Sequence, residues 1–217
     1  MNSSTPQHLD AWASGAAYEP YVGRWSRVVA KEVIAWLAVP PGRRWLDGGC
    51  GTGAVTETIL AAAAPATVTG VDSSEGYLAF ARAHVTEPRA TFKLGDLQTL
   101  PFAAGVFDVA LSGLVLNFVP DPLRAVRELA RVVRPGGTVA VYLWDYAGEM
   151  QFMRLFWDAA AARDPSAPDE GSRFPICRPE PLKALFDGAG LQAVAVRAVD
   201  IPTVFHDFDD FWNPFLG

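Results

Sequence analysis

The sequence predicts an α/β fold: a doubly wound, mostly parallel sheet with helices on both faces. Two observations carry this. Short apolar strands alternate with amphipathic helical stretches along most of the chain, the rhythm of a parallel sheet covered on both sides. The first strand runs straight into Asp47-Gly48-Gly49-Cys50-Gly51-Thr52-Gly53, the pattern of a strand that stops, turns sharply and lets a ligand approach its backbone.

The elements follow in order. Residues 1 to about 17 read as a flexible arm. Val28 to Leu37 carries apolar residues at helical spacing and stops at Pro40-Pro41-Gly42. Strand Arg44–Asp47 precedes a helix at Ala54–Ala63, strand Thr67–Val71 a helix at Glu75–His84, and strand Ala90–Leu94 a loop through Pro101. Strand Val106–Leu111 precedes a helix at Pro122–Val133, which Arg134-Pro135-Gly136-Gly137 is expected to end while opening the fifth strand. Strand Thr138–Leu143 leads to a helix from about Glu149 to Ala162. Arg163 to Pro181 is a long surface connection suited to a lid. A helix at Pro181–Ala189 ends at Gly190, and Gln192–Val199 reads as a sixth strand. His206 to Phe215 resembles the start of an aromatic, acidic helix. Residues 1–40 thus make an arm and cap helix, 41–146 a cofactor-binding core, and 147–217 substrate-side helices with strand six, all in one structural domain.

Composition excludes several classes. Half of the 217 residues are hydrophobic, enough for a sizeable core. The net charge of -6, without a basic block, argues against nucleic acid as partner. Two cysteines, Cys50 and Cys177, make neither a disulfide framework nor a zinc pattern, so no metal is expected. Neither a signal-peptide core nor an apolar run of the roughly 18–20 residues a membrane span needs is present. A cytoplasmic location is expected.

Two cofactor classes compete for the glycine loop. Gly49-x-Gly51-x-x-Ala54 fits a dinucleotide fingerprint. Asp47-x-Gly49-x-Gly51-x-Gly53 resembles motif I of the class I S-adenosylmethionine-dependent methyltransferases. Charge favours the second. A carboxylate at Asp47 repels a pyrophosphate, whereas S-adenosylmethionine has no phosphate and carries an ammonium and a sulfonium. Gly48, Gly49 and Gly51 then form the bend that the ligand touches, with a helix N-terminus aimed at the same spot.

Further acids stand at later strand ends. Asp72 is placed to accept both ribose hydroxyls, and Asp72-Ser73-Ser74-Glu75 also has the chemistry of a helix cap. Asp96 can accept the adenine amine with Leu97 against the ring, although Gly95-Asp96 is also plain turn chemistry. The exit of the fourth strand, Ser112 to Asn117, faces the crevice past the strand ends, where backbone carbonyls can hold the methionine ammonium. Asp108, at the beginning of that strand, reads as structural. Asn117 either lines the substrate pocket or caps local backbone.

Taken together, Leu46–Gly53, Val71-Asp72, Gly95-Asp96, Leu100-Pro101-Phe102, Phe107-Asp108-Val109 and Arg131–Gly137 resemble the UbiE-like (type 11) class I methyltransferases over about residues 18 to 200. The resemblance implies a Rossmann-like sheet of six parallel strands and one antiparallel strand, with S-adenosylmethionine as cofactor and S-adenosylhomocysteine as product. It also implies that a Tyr and an Arg ahead of the first strand close over the methionine carboxylate. Tyr21 and Arg24 match those positions, with Arg27 as the alternative arginine. The family's antiparallel strand lies between strands five and six, and too few residues follow Val199 to supply it. That strand is therefore expected to be missing, leaving an edge that the tail or a homodimer covers.

Aromatics concentrated after Phe152 suit an apolar pocket for a small organic acceptor. His8, His84 and His206 give no clear general base, and no catalytic residue is assigned. The alternatives are a nicotinamide-dependent oxidoreductase on the same sheet, or a non-catalytic cofactor-binding module with a shortened C-terminus.

Overall fold

Five strands, Arg44–Gly48 (β1), Thr67–Asp72 (β2), Ala90–Leu94 (β3), Phe107–Gly113 (β4) and Val133–Tyr142 (β5), pair in parallel in the order β3-β2-β1-β4-β5. The computed structural model describes residues 24–167 and 169–213. Its helices are Arg24–Leu37 (α1), Ala54–Ala62 (α2), Glu75–His84 (α3), Pro122–Val132 (α4), Gln151–Arg163 (α5), Glu170–Arg173 (α6), Pro179–Gly188 (α7) and Phe208–Trp212 (α8).

Strand alternation divides the core into two layers. Trp45 and Val109 point to one face, where they meet Val29, Val33 and Ile34 of α1 and Val55 and Ile59 of α2. Leu46 and Ala110, their neighbours in sequence, point to the other, against Ala125, Val126, Leu129 and Val132 of α4. Both faces of the central strands are therefore buried, which is why β1 and β4 have few polar side chains. In α4 the buried residues recur at helical spacing, and Asp121 caps its first turn by accepting the Arg124 N–H at 2.9 Å.

Strand order reverses at β1. β2 and β3 lie on one side of it, and β4 and β5 on the other. The carboxyl ends of β1 and β4 lie where the strand order reverses, the place where ligands bind in such sheets. The opposite end of the sheet is closed by Asp108. Its Oδ2 accepts the Arg44 N–H at 2.9 Å and also meets Arg44 Nε at 3.3 Å, and its Oδ1 accepts from Arg134 Nε at 2.6 Å. One carboxylate thus joins β1, β4 and β5, consistent with a structural role for this residue.

Two sequence expectations are corrected. Arg134–Gly137 opens the fifth strand as expected, but it lies inside β5, which begins at Val133 rather than at Thr138, and the helix has already ended before it. Helix α4 ends at Val132 because Val133 is already extended. Between Phe107↔Val133 and Val109↔Thr138, two steps on β4 face five on β5, so Arg134–Gly137 form a bulge. Gly136 supplies a φ of 73°, and a Cβ on Gly137 would meet Val133 and the Asp108 carbonyl. Pro135 is tolerated because β5 is an edge strand.

Residues 192–199, where strand six was expected, form no strand, and neither do residues 200–205 that follow. In the family pattern that strand pairs with an antiparallel neighbour between it and strand five. Among the described residues no such neighbour exists, so the stretch has no backbone partner to pair with. It runs unpaired, with Val199 and Ile201 packed on the α1 face. The connection after α5 also has internal structure: α6, a 3-10 turn at Pro175–Cys177, and a two-pronged Arg154–Asp169 ion pair at 2.9 and 3.2 Å.

Two arginines hold the Asp108 carboxyl down at about 2, chiefly Arg134 through its hydrogen bond and then the Arg44 backbone N–H. A carboxyl whose folded value lies below its unfolded one, near 3.9, stabilises above that value and loses its contribution as pH falls toward 2. Asp108→Ala should lower unfolding free energy by about 2 kcal/mol at pH 7. In urea titrations the gap between variant and parent should shrink below pH 4; a gap that persists unchanged at pH 2.5 would refute the role.

Candidate functional site

The end of β1 and the loop after it contain four glycines with different roles. A Cβ on Gly48 would lie 2.8 Å from Leu97 Cδ2, one on Gly49 2.6 Å from the Val115 methyls, and one on Gly53 2.9 Å from Val85 Cγ2. These three allow close protein packing. Gly49, Gly51 and Gly53 have φ of 75°, 52° and 95°, so all three need the left-handed region. Around Gly51, however, nothing lies within 4 Å of the Cβ position. Of the loop glycines, only Gly51 leaves its backbone open to a ligand.

The loop's donors face inward. Gly49 and Cys50 donate their N–H groups to the Val71 carbonyl at 2.7 and 2.9 Å, and Gly53 donates to the Cys50 carbonyl at 2.8 Å. Gly51 N–H donates to Asp72 Oδ2 at 2.9 Å, while Asp72 Oδ1 accepts from Ser74 N–H at 2.8 Å. Asp72 therefore bridges the turns after β1 and β2. Each oxygen keeps further acceptor capacity, and the residue is half-buried beside exposed Ser73. Ser74 caps α3 by accepting from the Tyr77 N–H at 3.3 Å.

Asp47 lies beneath this loop rather than on its open side, with none of its surface exposed. Thr56, in the first turn of α2, donates its hydroxyl to Asp47 Oδ2 at 2.6 Å. Oδ1 has no hydrogen-bond partner among the described residues. Burial pushes the carboxyl up to about 7; the Thr56 bond opposes this, and the charge of Asp72 adds to it. Burial also raises the Cys50 thiol, and the charges of Asp47 and Asp72 raise it further, which disfavours the thiolate.

The other strand exits converge less completely. Asp96 is exposed, and its Oδ1 accepts the Gln98 backbone N–H at 2.8 Å while the Gln98 amide spans both oxygens. Leu97 is 6% exposed and packs against Gly48. Gly48 likewise serves packing. Ser112 is fully buried, with an Oγ that has no partner among the described residues. Past it, Leu114 takes a φ of 62°, which for a leucine costs roughly 1–2 kcal/mol. Val115 lies over Gly49, so the exit of β4 roofs the loop of β1. Asn117 is half-buried, and its Nδ2 has no acceptor among the described residues.

The start of α1 borders the same crevice. Arg27 pairs with Glu57 Oε2, in the first turn of α2, at 3.0 and 3.2 Å, which sets this end of α1 beside the glycine loop. Arg24 Nη1 donates to Asp210 Oδ1 at 2.8 Å. Its guanidinium lies 4.8 and 4.9 Å from the rings of Trp25 and Phe205. Arg24 Nε and Nη2 are buried without an acceptor among the described residues. Tyr21 lies outside the described residues. His84 stacks on Phe80 at the end of α3, and exposed His206 donates its backbone N–H to Asp210. Among the described residues there is no metal-binding cluster, and no helix is long and apolar enough to cross a membrane.

Three participants were not anticipated from sequence. Thr56 sits nine residues after Asp47, where only the strand-turn-helix geometry brings it back. Val115 reaches Gly49 through a left-handed leucine, which no sequence pattern announces. Asp210 is 186 residues from its partner Arg24.

A family model described as a methyltransferase domain matches residues 46–141. Demethylmenaquinone methyltransferase of Staphylococcus aureus is 33% identical over 187 residues, covering 79% of this chain and 77% of the relative. A transposon protein of Streptomyces fradiae is 40% identical over 107 residues, and the match spans 31% of its length. Among solved structures, a Haloferax volcanii protein described as a methyltransferase, in complex with a methyltransferase activator, shares the fold with a TM-score of 0.66. That match has 23% identity and covers 92% of this chain and 85% of that one. A Thermotoga maritima S-adenosylmethionine-dependent methyltransferase gives 0.60 at 25% identity, over 81% and 76%.

The different surroundings of two glycines give a test of the loop. Gly51→Ala should cost about 1 kcal/mol of stability, from backbone strain alone, yet weaken cofactor binding more than tenfold. Gly49→Ala should lose stability more heavily because Val115 must move. Calorimetric titration and thermal unfolding of both variants check this; equal behaviour would contradict it.

Proposed function

This chain belongs to the class I S-adenosylmethionine-dependent methyltransferases, and from that premise we propose that it moves the methyl group to a small, apolar, ring-bearing acceptor of the quinone type. The observation that carries the cofactor half is the inward engagement of the Gly49, Cys50, Gly51 and Gly53 N–H groups. A pyrophosphate needs those donors, and a phosphate-free cation does not. The same observation weighs against the nicotinamide alternative.

The residues fit S-adenosylmethionine. Asp72 has acceptor capacity for two ribose hydroxyls beside the open face of Gly51, with Ser73 adjacent. Asp96 stands at the next strand end for the adenine amine, exchanging one of its contacts with Gln98. Carbonyls from Ser112 onward suit the ammonium, and the unpaired Nε–Nη2 edge of Arg24 suits the carboxylate. Asp47, buried close by, contributes its charge through space. Bound S-adenosylmethionine supplies a methyl made electrophilic by its sulfonium.

The chain's remaining task is positioning, which is worth about 7–11 kcal/mol when nucleophile and electrophile are held in line. Phe118, 54% exposed, stands beside Asn117 and meets Phe174 at 5.3 Å, and Tyr146 meets Phe174 at 5.6 Å. This ring-rich wall past β4 and β5 supports a flat apolar acceptor, and the name of the staphylococcal relative supports a quinone skeleton. Asn117 Nδ2 is available to bond an acceptor oxygen. Asp145 is occupied by the Gly148 and Glu149 N–H groups, so no general base is assigned.

Two outcomes are expected. Incubation with S-adenosylmethionine and a reduced demethylated quinone should give a singly methylated product and S-adenosylhomocysteine by mass spectrometry. Cofactor binding without methylation of any ring acceptor would defeat the acceptor assignment. Cofactor affinity should also rise with pH through about 7, because the cation favours ionised Asp47, whose proton is lost there. Asp47→Asn should bind more weakly and flatten that profile; an unaltered profile would remove Asp47 from the electrostatic account.

A further inference from the structure

We propose that Asp210 is a positioning residue that holds the Arg24 guanidinium with its carboxylate-binding edge free, so that the C-terminal helix completes the amino-acid end of the cofactor site. The inference rests on the assignment of Arg24 to the cofactor carboxylate and extends it to a segment far away in sequence.

A guanidinium offers five N–H donors in one plane. Nε and the neighbouring Nη2 form a side edge that meets a carboxylate with two parallel hydrogen bonds. In Arg24 these are the two nitrogens that are buried without an acceptor, while Asp210 takes Nη1 on the other side. Buried donors of a cation are costly to leave unpaired, so an acceptor belonging to a ligand is the natural partner. A rival carboxylate mimicking the ligand would occupy the side edge; Asp210 leaves it open.

The remaining degrees of freedom of the guanidinium are also restrained. Trp25 and Phe205 flank it at 4.8 and 4.9 Å. Asp210 is itself tethered: Oδ2 accepts the His206 N–H at 3.0 Å, and its own N–H donates to the Asp207 carboxylate at 2.9 Å. The segment is seated by rings, with Phe205 5.7 Å from Phe152 of α5 and 5.3 Å from Phe211. Fixing the fork before binding removes part of the ordering cost that a free arginine incurs when the ligand arrives.

The test compares S-adenosylhomocysteine, which carries the amino-acid carboxylate, with methylthioadenosine, which lacks it. Both are titrated calorimetrically into the full chain and into Arg24→Ala, Asp210→Ala and the double variant, with Asp210→Asn as a milder substitution should alanine impair folding. Asp210→Ala should weaken S-adenosylhomocysteine about tenfold and methylthioadenosine less than twofold, and should add nothing to Arg24→Ala. Unchanged or tighter binding of S-adenosylhomocysteine would overturn the proposal, as would equal weakening of both ligands, the mark of a packing role. If Arg24→Ala itself fails to separate the two ligands, the assignment of Arg24 falls as well.

Discussion

The crevice depends on one carboxylate, Asp72, which accepts the N–H of Gly51 with one oxygen and that of Ser74 with the other. These two bonds join the turn after β1 to the turn after β2. The Val71 carbonyl reinforces them by accepting from Gly49 and Cys50. The position of the open Gly51 face is thus set by the end of the neighbouring strand. A group that shapes the loop and also offers acceptors to a ribose links loop geometry to ligand binding.

Electrostatics follow from the same arrangement. Gly49, Cys50, Gly51 and Gly53 all donate inside the protein, so these four N–H groups are not offered to an anion. Two carboxylates close together, Asp47 beneath and Asp72 beside, make the site attractive to a cation instead. Asp47 raised to about 7 is the visible cost of that arrangement: Thr56 satisfies one oxygen, and the other is buried without a partner. A bound cation relieves this cost, so the strain in the free protein and the preference for a positively charged ligand share one origin.

Much of this was legible in the sequence because it is local. The alternation of strands and helices set the bounds of β1 to β4 to within two residues, and the glycine spacing with Asp47 and Asp72 marked the crevice. Where contacts are long-range or bent, sequence reasoning failed. Arg134–Gly137 has the chemistry of a helix stop, but the ion pair of Arg134 with Asp108 and the φ of Gly136 turn it into a bulge. Gln192–Val199 has strand composition, yet a strand needs a backbone partner, and none is present among the described residues. The Arg24–Asp210 pair has no local signature.

The central claim is that this loop accepts a cationic, phosphate-free adenosine compound. Parallel calorimetric titrations of the unmodified chain with S-adenosylmethionine and with NADH test it most directly. Micromolar binding of the first and no saturable heat from the second are expected. Saturable binding of NADH, with S-adenosylmethionine inert toward the folded protein, would contradict it.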